Sequence, residues 1–463
     1  MKSINPFNNQ LLAEYPEHTA VQADGIIGQA HAAWLHWRGI SFEDRAVCMR
    51  KAAQVLRNRK DEFAVLITSE MGKIISESRA EVEKCAVACD FYAGQAAEML
   101  RDEEIASDAV RSFVTFEPMG VILAVMPWNF PFWQVFRFAV PALMAGNAGV
   151  LKHASNVGGC ALAIEGVFRE AGFPDDLFRT LMIPSTLVEG IISNPFVRAV
   201  TLTGSEFAGS MVASSAGKQI KKSVLELGGS DPFIVLEDAD PERAVKTAVT
   251  ARMINQGQSC IAAKRFIVAE EIADRFEYLL KKEFSKLKPG DPMDPETRIG
   301  PLARPDLVTE IDRQVRTSLE FGAKLIIGGA GMQDAGNPMP DSGCFYAPTI
   351  LTHVRPGMPV YQEETFGPVA AIIRVKDEEE AIAVANDTEF GLGGSVWTRD
   401  LQRGVSMARR IETGAVFVNG LVKSDPRLPF GGMKKSGFGR ELSHYGIKEF
   451  VNIKTVWITN GTS

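Results

Sequence analysis

The sequence predicts an α/β protein built on parallel sheets, and three stretches carry that prediction. Between residues 120 and 152 a short apolar run, a proline-bounded turn, an apolar helical stretch and a second apolar run follow one another. The order recurs where Ala199-Val200-Thr201-Leu202 leads through Thr203-Gly204-Ser205 into a helical stretch over 206–216. It recurs again where Lys264-Arg265-Phe266-Ile267-Val268 precedes a stretch from Glu270 to about 288, on which Ile272, Phe276, Leu280, Phe284 and Leu287 share one helical face. Strand-turn-helix units repeated in this way assemble into parallel sheets with helices on their faces.

Taken in order, Met1-Lys2-Ser3-Ile4-Asn5-Pro6 is polar and broken early by proline, so no secretory signal peptide is expected. His31 and His36 fall in a tryptophan-rich helical stretch and read as surface or packing residues. Cys85 and Cys89 lie four apart on a further helix; with no third ligand near them they read as packing, not as a zinc site. From 120 to 151 the chain is mostly apolar, but Pro127, Pro131, Pro141 and Arg137 interrupt it, whereas a membrane span needs about 20 uninterrupted apolar residues. It reads instead as a strand at 121–125, a loop at 126–131, a helix at 132–145 and a strand at 149–152. Pro232-Phe233-Ile234-Val235-Leu236 begins another strand, and after Asp240-Pro241 a helix runs to about Met253. A surface helix pair with a polar loop near 329–343 and a strand-helix alternation over 370–417 complete the expected second unit.

The 463 residues suffice for about three domains with large cores. Acidic and basic residues are interspersed and the net charge is -7, which offers no basic face to nucleic acid and no polybasic tail to a membrane. Six scattered cysteines make neither a disulfide framework nor a metal pattern; a reducing cytoplasm and no bound metal are the expectation.

Three stretches suggest chemistry. Met253-Ile254-Asn255-Gln256-Gly257-Gln258-Ser259-Cys260 brings a thiol to the end of a polar turn, in a connection and not inside an element. Leu225-Glu226-Leu227-Gly228-Gly229 sets a carboxylate in an apolar run before two glycines, and Pro127-Trp128-Asn129-Phe130-Pro131 sets a carboxamide between prolines. Thiol, carboxylate and amide together make a nucleophile, a base and an oxyanion donor. The apolar neighbours of Glu226 favour a raised pKa, as a base acting near neutral pH needs. Separately, the helix start after Thr203-Gly204-Ser205 can receive a phosphate on its free N–H groups.

With these residues and with Glu363-Glu364-Thr365-Phe366-Gly367-Pro368, Pro429-Phe430-Gly431-Gly432 and Lys435-Ser436-Gly437, the chain resembles the aldehyde dehydrogenase superfamily from near its start to about Val456. The resemblance implies a Rossmann-type cofactor domain over 1–105 and 119–230, an α/β catalytic domain over 231–436, and a small β oligomerisation arm over 106–118 and 437–463. The alternating stretches at 112–116 and 450–457 are the arm's strand candidates. It also implies that Cys260 forms a thiohemiacetal and then a thioester, that Asn129 and the Cys260 N–H hold the oxyanion, and that Glu226 activates water. Cofactor contacts are expected from Trp128, Lys152, Ser155, Gly204, Ser205, Leu227, Glu364 and Phe366.

Many NAD-preferring members carry a glutamate where this chain has Ser155; a serine can donate to a 2'-phosphate, so NADP or NAD is expected. Ile183-Pro184-Ser185-Thr186 stands where members commonly carry glycines near the adenine. Phe130, Trp133 and Arg137 follow one face at helical spacing and are expected to line the substrate tunnel. An arginine at its mouth suits a carboxylate, as in the succinate-semialdehyde dehydrogenases, which also use a serine from the loop before Pro-Phe-Gly-Gly; Lys423, Ser424 and Arg427 stand there in this chain. The expected substrate is thus a small aldehyde bearing a carboxylate, with succinate semialdehyde foremost. The alternatives are another aliphatic or aromatic aldehyde, acyl transfer to CoA, and a non-catalytic role. Ala262 excludes a disulfide lock two residues from the nucleophile. A homodimer or homotetramer is expected.

Overall fold

A computed structural model describes residues 1–330 and 343–460. Most of the expected polar loop near 329–343 lies outside the described residues. Two large sheets dominate. The first has six strands and contains, side by side and parallel, Lys222–Glu226, Val197–Thr203, Val121–Met126, Ala148–His153 and Phe178–Thr180. Its strand order places 197–203 beside 121–126, so the chain crosses over at this point, and in open parallel sheets ligands bind outside the carboxyl ends of strands at such a switch.

The second sheet has seven strands, with Asp231–Val235, Ala263–Ala269, Val369–Val375 and Gly393–Trp397 parallel in its centre. A three-stranded sheet joins Val451–Ile458 to Arg111–Pro118 in antiparallel register, with Glu103–Glu104 on the far edge. One segment departs from the expected division: Gly437–Phe438 pairs with Leu225 and Glu226 and extends the first sheet before the chain reaches the three-stranded one.

The apolar periodicities account for the helices that flank these sheets. Trp133–Met144 is buried on every side, as its mostly apolar character requires, and takes Gln134 and Arg137 into the interior with it. Glu270–Phe284 buries Ala273, Phe276, Leu280 and Phe284 on one face. It ends a turn earlier than the expected 288, in a turn at 285–286 from which the chain runs on to bridge Pro289 with Ile299. Among the described residues no helix is long and apolar enough to cross a membrane, and no group of three or more His, Cys, Asp or Glu could hold a metal ion.

Candidate active site

Helix Pro241–Met253 stops where Asn255 and Gln256 adopt φ of 52° and 54° and Gly257 follows at 79°. Left-handed backbone at two non-glycine residues costs about 1–3 kcal/mol each and persists only where neighbours enforce it. The Asn255 N–H donates to Glu77 Oε2 at 3.0 Å, and Asn255 Nδ2 donates to the carbonyls of Asn129 and Gln258. At 257 only glycine fits, since a Cβ there would lie 2.2 Å from the Gly367 carbonyl oxygen. This turn carries Cys260 to the carboxyl ends of the first sheet's strands, just before the amino end of Ala263–Ala269 in the second.

There Cys260 faces a cavity of about 210 Å³ lined also by Trp128, Asn129, Gly204, Ser205, Leu227, Glu364 and Phe366. Five separate segments thus meet at the thiol. Trp128 and Phe366 meet edge to face with centroids 5.9 Å apart, and the Arg304 guanidinium lies 5.3 Å from the Trp128 ring centre. His153 holds the Trp128 loop from below, its Nε2 donating to the Pro131 carbonyl at 2.9 Å; burial pushes it down to about 4, so the ring stays neutral.

Burial pushes the Cys260 thiol up to about 12; Arg137 and Lys264 oppose the rise, and Glu364 and Asp231 add to it. The resting nucleophile is therefore a thiol at neutral pH. Lys264 Nζ donates to the carbonyls of Ser259 and Cys260 and pairs with Glu364 Oε1 at 3.1 Å. The same Glu364 oxygen accepts from the Gly229 N–H at 3.0 Å, so this carboxylate is held from two sides. Asn129 Nδ2 gives one proton to the Gln258 carbonyl at 3.1 Å, which leaves its second proton for an oxyanion.

Glu226 ends its strand with its carboxyl buried and both oxygens without a hydrogen-bond partner. Burial holds it well above the usual carboxylate range; the nearby Glu441 adds to the rise and Arg137 opposes it. Arg137 is held in the interior. Its side chain is 2% exposed, its Nε pairs with the Glu441 carboxylate, its Nη2 donates to Thr203 Oγ1 at 3.1 Å, and its guanidinium lies 4.5 Å from the centre of the Phe430 ring. A guanidinium bound to Glu441 and covered by Phe430 does not present a free fork at a tunnel mouth.

The Phe130 carbonyl accepts from the Gln134 N–H at 3.0 Å just ahead of the helix Trp133–Met144, and the Lys73 ammonium lies 3.8 Å from the Phe130 ring centre. Trp133 is buried and its Nε1 donates to Ser424 Oγ at 3.0 Å, which brings two of the expected substrate residues together. A third side chain joins them: Lys84 Nζ donates to the same oxygen at 2.7 Å.

Helix Glu206–Lys218 starts behind the thiol cavity, with Ser205 Oγ as its cap accepting from the Ala208 N–H. Gly209 lets it approach the sheet, since a Cβ there would lie 2.6 Å from Leu227. On the other side of this helix start lies a second cavity of about 610 Å³, with Lys152, Ser185 and Thr186 among its polar lining and Phe207 and Met211 among its apolar lining. Ser155 stands outside that lining, exposed at the head of a short turn. The two cavities fit a dinucleotide. A helix start for phosphates lies between them, and Glu364 Oε2 would lie 2.4 Å from a Cβ at 228, so Gly228 keeps a channel open beside a fixed carboxylate.

Lys264, Glu77, Arg304 and Lys84 escaped the sequence reading. Only Lys264 left a signal, as a charge inside a strand whose every residue is buried. The others reach the site from distant helices and loops.

These features define a class. The profile of the aldehyde dehydrogenase family matches residues 1–456, and the chain belongs to that family. Among relatives, a probable NADP-dependent succinate-semialdehyde dehydrogenase of Synechocystis is 53% identical over 98% of this chain and 99% of its own. An NAD(P)-dependent succinate semialdehyde dehydrogenase of Escherichia coli is 48% identical over 98% of this chain and 97% of its own. The crystal structure of succinic semialdehyde dehydrogenase from Streptococcus pyogenes with NADP superposes with a TM-score of 0.95, at 39% identity, over 99% of this chain and all of that one.

Proposed function

We propose that the protein oxidises succinate semialdehyde to succinate with NADP, and with NAD as a second cofactor. The observation that carries this reading is the identity of about half the residues, over nearly the full length, with relatives that bear that activity in their names, joined to a thiol and an amide that line one cavity and a buried carboxylate, Glu226, next in sequence to its lining residue Leu227. Trp128, Gly204, Ser205, Leu227, Glu364 and Phe366 would hold the nicotinamide half of the cofactor, and Lys152 with Ser185 and Thr186 the adenosine half. When bound there, the oxidised nicotinamide supplies the hydride acceptor.

Cys260 gives up its thiol proton to solvent as Sγ adds to the aldehyde carbon, giving a thiohemiacetal whose oxyanion the Asn129 amide and the Cys260 N–H stabilise, an effect worth roughly 3–4 kcal/mol in well-studied acyl transfer. Loss of hydride leaves a thioester on Cys260. Glu226 then takes a proton from the water that adds to the thioester carbon, and the C–S bond breaks to release succinate and return Sγ, which is reprotonated to the thiol. Asp231 and Glu364, whose charge reaches the thiol, are engaged by the Gly393 N–H and by Lys264 and Gly229. Glu226, with unused lone pairs and a raised pKa, is the base. The three-stranded sheet exposes Ile453 and Trp457 and serves as the contact arm of a homodimer or homotetramer, in the cytoplasm.

The test is steady-state reduction of NADP and NAD with succinate semialdehyde, butanal and benzaldehyde. The reading predicts the highest kcat/KM for succinate semialdehyde with NADP. A higher value for butanal or benzaldehyde would overturn the substrate, and no reduction with any aldehyde would overturn the chemistry.

A further inference from the structure

We propose that the ammonium of Lys84 is the anchor for the substrate carboxylate, in the place that the sequence assigns to Arg137; the inference rests on the reading of the substrate as an acidic aldehyde. Lys84 projects from the helix Ile75–Met99 onto the start of the helix Trp133–Met144. Its Nζ lies 4.1 Å from the centre of the Trp133 ring and donates to Ser424 Oγ at 2.7 Å. Trp133 Nε1 donates to the same oxygen at 3.0 Å. Ser424 Oγ thus accepts twice, and its own proton is left to donate. Two ammonium protons and one hydroxyl proton remain at one spot, a set suited to a carboxylate.

The charge there has no counter-ion. Among the described residues no carboxylate oxygen lies within the 4.0 Å of an ion pair with Lys84, and those nearby are engaged elsewhere. Glu81 pairs with Lys73 and accepts from the N–H groups of Phe132 and Trp133. Asp425 pairs with Arg427 at 2.6 Å, and Glu441 pairs with Arg137. Burial, reinforced by the charge of Arg137, holds the Lys84 ammonium down at about 8. A desolvated cation held only by a ring face and a hydroxyl is costly, and an anionic ligand relieves that cost. The position fits the substrate end: Lys84 touches Trp133, beside the cavity-lining Gln134 on the same helix, and the charge of Arg137 reaches both Lys84 and Cys260.

The experiment measures kcat and KM for succinate semialdehyde and for butanal, its uncharged counterpart, in wild type, Lys84→Met and Lys84→Arg. Removing one member of a buried charge contact typically costs 30-fold or more, so the ratio of kcat/KM for the two aldehydes is expected to fall about 30-fold in Lys84→Met, chiefly through KM, and to recover to within about fivefold of wild type in Lys84→Arg. Succinate as a competitive inhibitor of butanal oxidation gives a second measurement, and its inhibition constant should rise in parallel. A wild-type preference for succinate semialdehyde that survives in Lys84→Met would overturn the role of Lys84 and leave the function intact. A wild type that does not prefer succinate semialdehyde over butanal would overturn both.

Discussion

Replacing Arg137 by methionine separates a structural arginine from a substrate-binding one. Methionine keeps much of the aliphatic volume but leaves Glu441, only 4% exposed, without its cation. Breaking a buried pair by removing one partner costs about 3–5 kcal/mol. The lost contact with Phe430 adds about 0.5–2 kcal/mol. Glu441 recovers part of this by taking up a proton, which burial already favours, so a net loss of about 3 kcal/mol is expected. It would be read as a lowered urea midpoint. The kinetic effect should fall on Glu226. Arg137 is the largest influence holding its pKa down, so the variant's Glu226 keeps its proton to higher pH and deacylation slows. A rise of one unit would make that step about tenfold slower near neutral pH. Stopped-flow at 340 nm should show a burst of reduced cofactor followed by a slowed steady state that recovers as the pH is raised. The loss should be equal for succinate semialdehyde and butanal. Wild-type stability together with a selective loss of succinate semialdehyde would refute this reasoning and return Arg137 to the substrate.

Two further outcomes follow from the site. Because the Cys260 thiol is raised to about 12, its alkylation by iodoacetamide in the cofactor-free protein, followed by peptide mapping, should accelerate about tenfold per pH unit from 7 to 9; a plateau near pH 7 would mean a preformed thiolate. Gly228→Ala would push its Cβ against Glu364 Oε2 and should raise the KM for NADP at least about tenfold while Cys260 alkylation stays unchanged; an unaltered KM would show that Glu364 does not hold the cofactor.

The parts of the fold legible in the sequence are those written in local periodicity. The strands ending at Met126 and Thr203 alternate clearly with the helices after them, and Trp128, Asn129, Gly204 and Ser205 fall at their ends, with Leu227 at the end of the strand Lys222–Glu226, where one cavity gathers them. Helical spacing also suggested that Arg137 faces the substrate, but spacing does not show which residue waits on the facing element. Glu441 comes from a turn near the end of the chain and claims the guanidinium. Lys84 was silent for the same reason: its partner Ser424 is 340 residues away, and a lysine on a long helix looks like surface until that contact is known. The raised pKa of Glu226 was readable from its apolar neighbours, whereas that of Cys260 arises from burial among separate segments.

The most direct test of the central claim is to stop the reaction on the nucleophile. Glu226→Gln protein mixed with succinate semialdehyde and NADP should release about one equivalent of reduced cofactor per site, and mass spectrometry should find a succinyl thioester on the peptide carrying Cys260. Turnover at the wild-type rate, or an acyl group on any other cysteine, would contradict the assignment of Glu226 as the base or of Cys260 as the nucleophile.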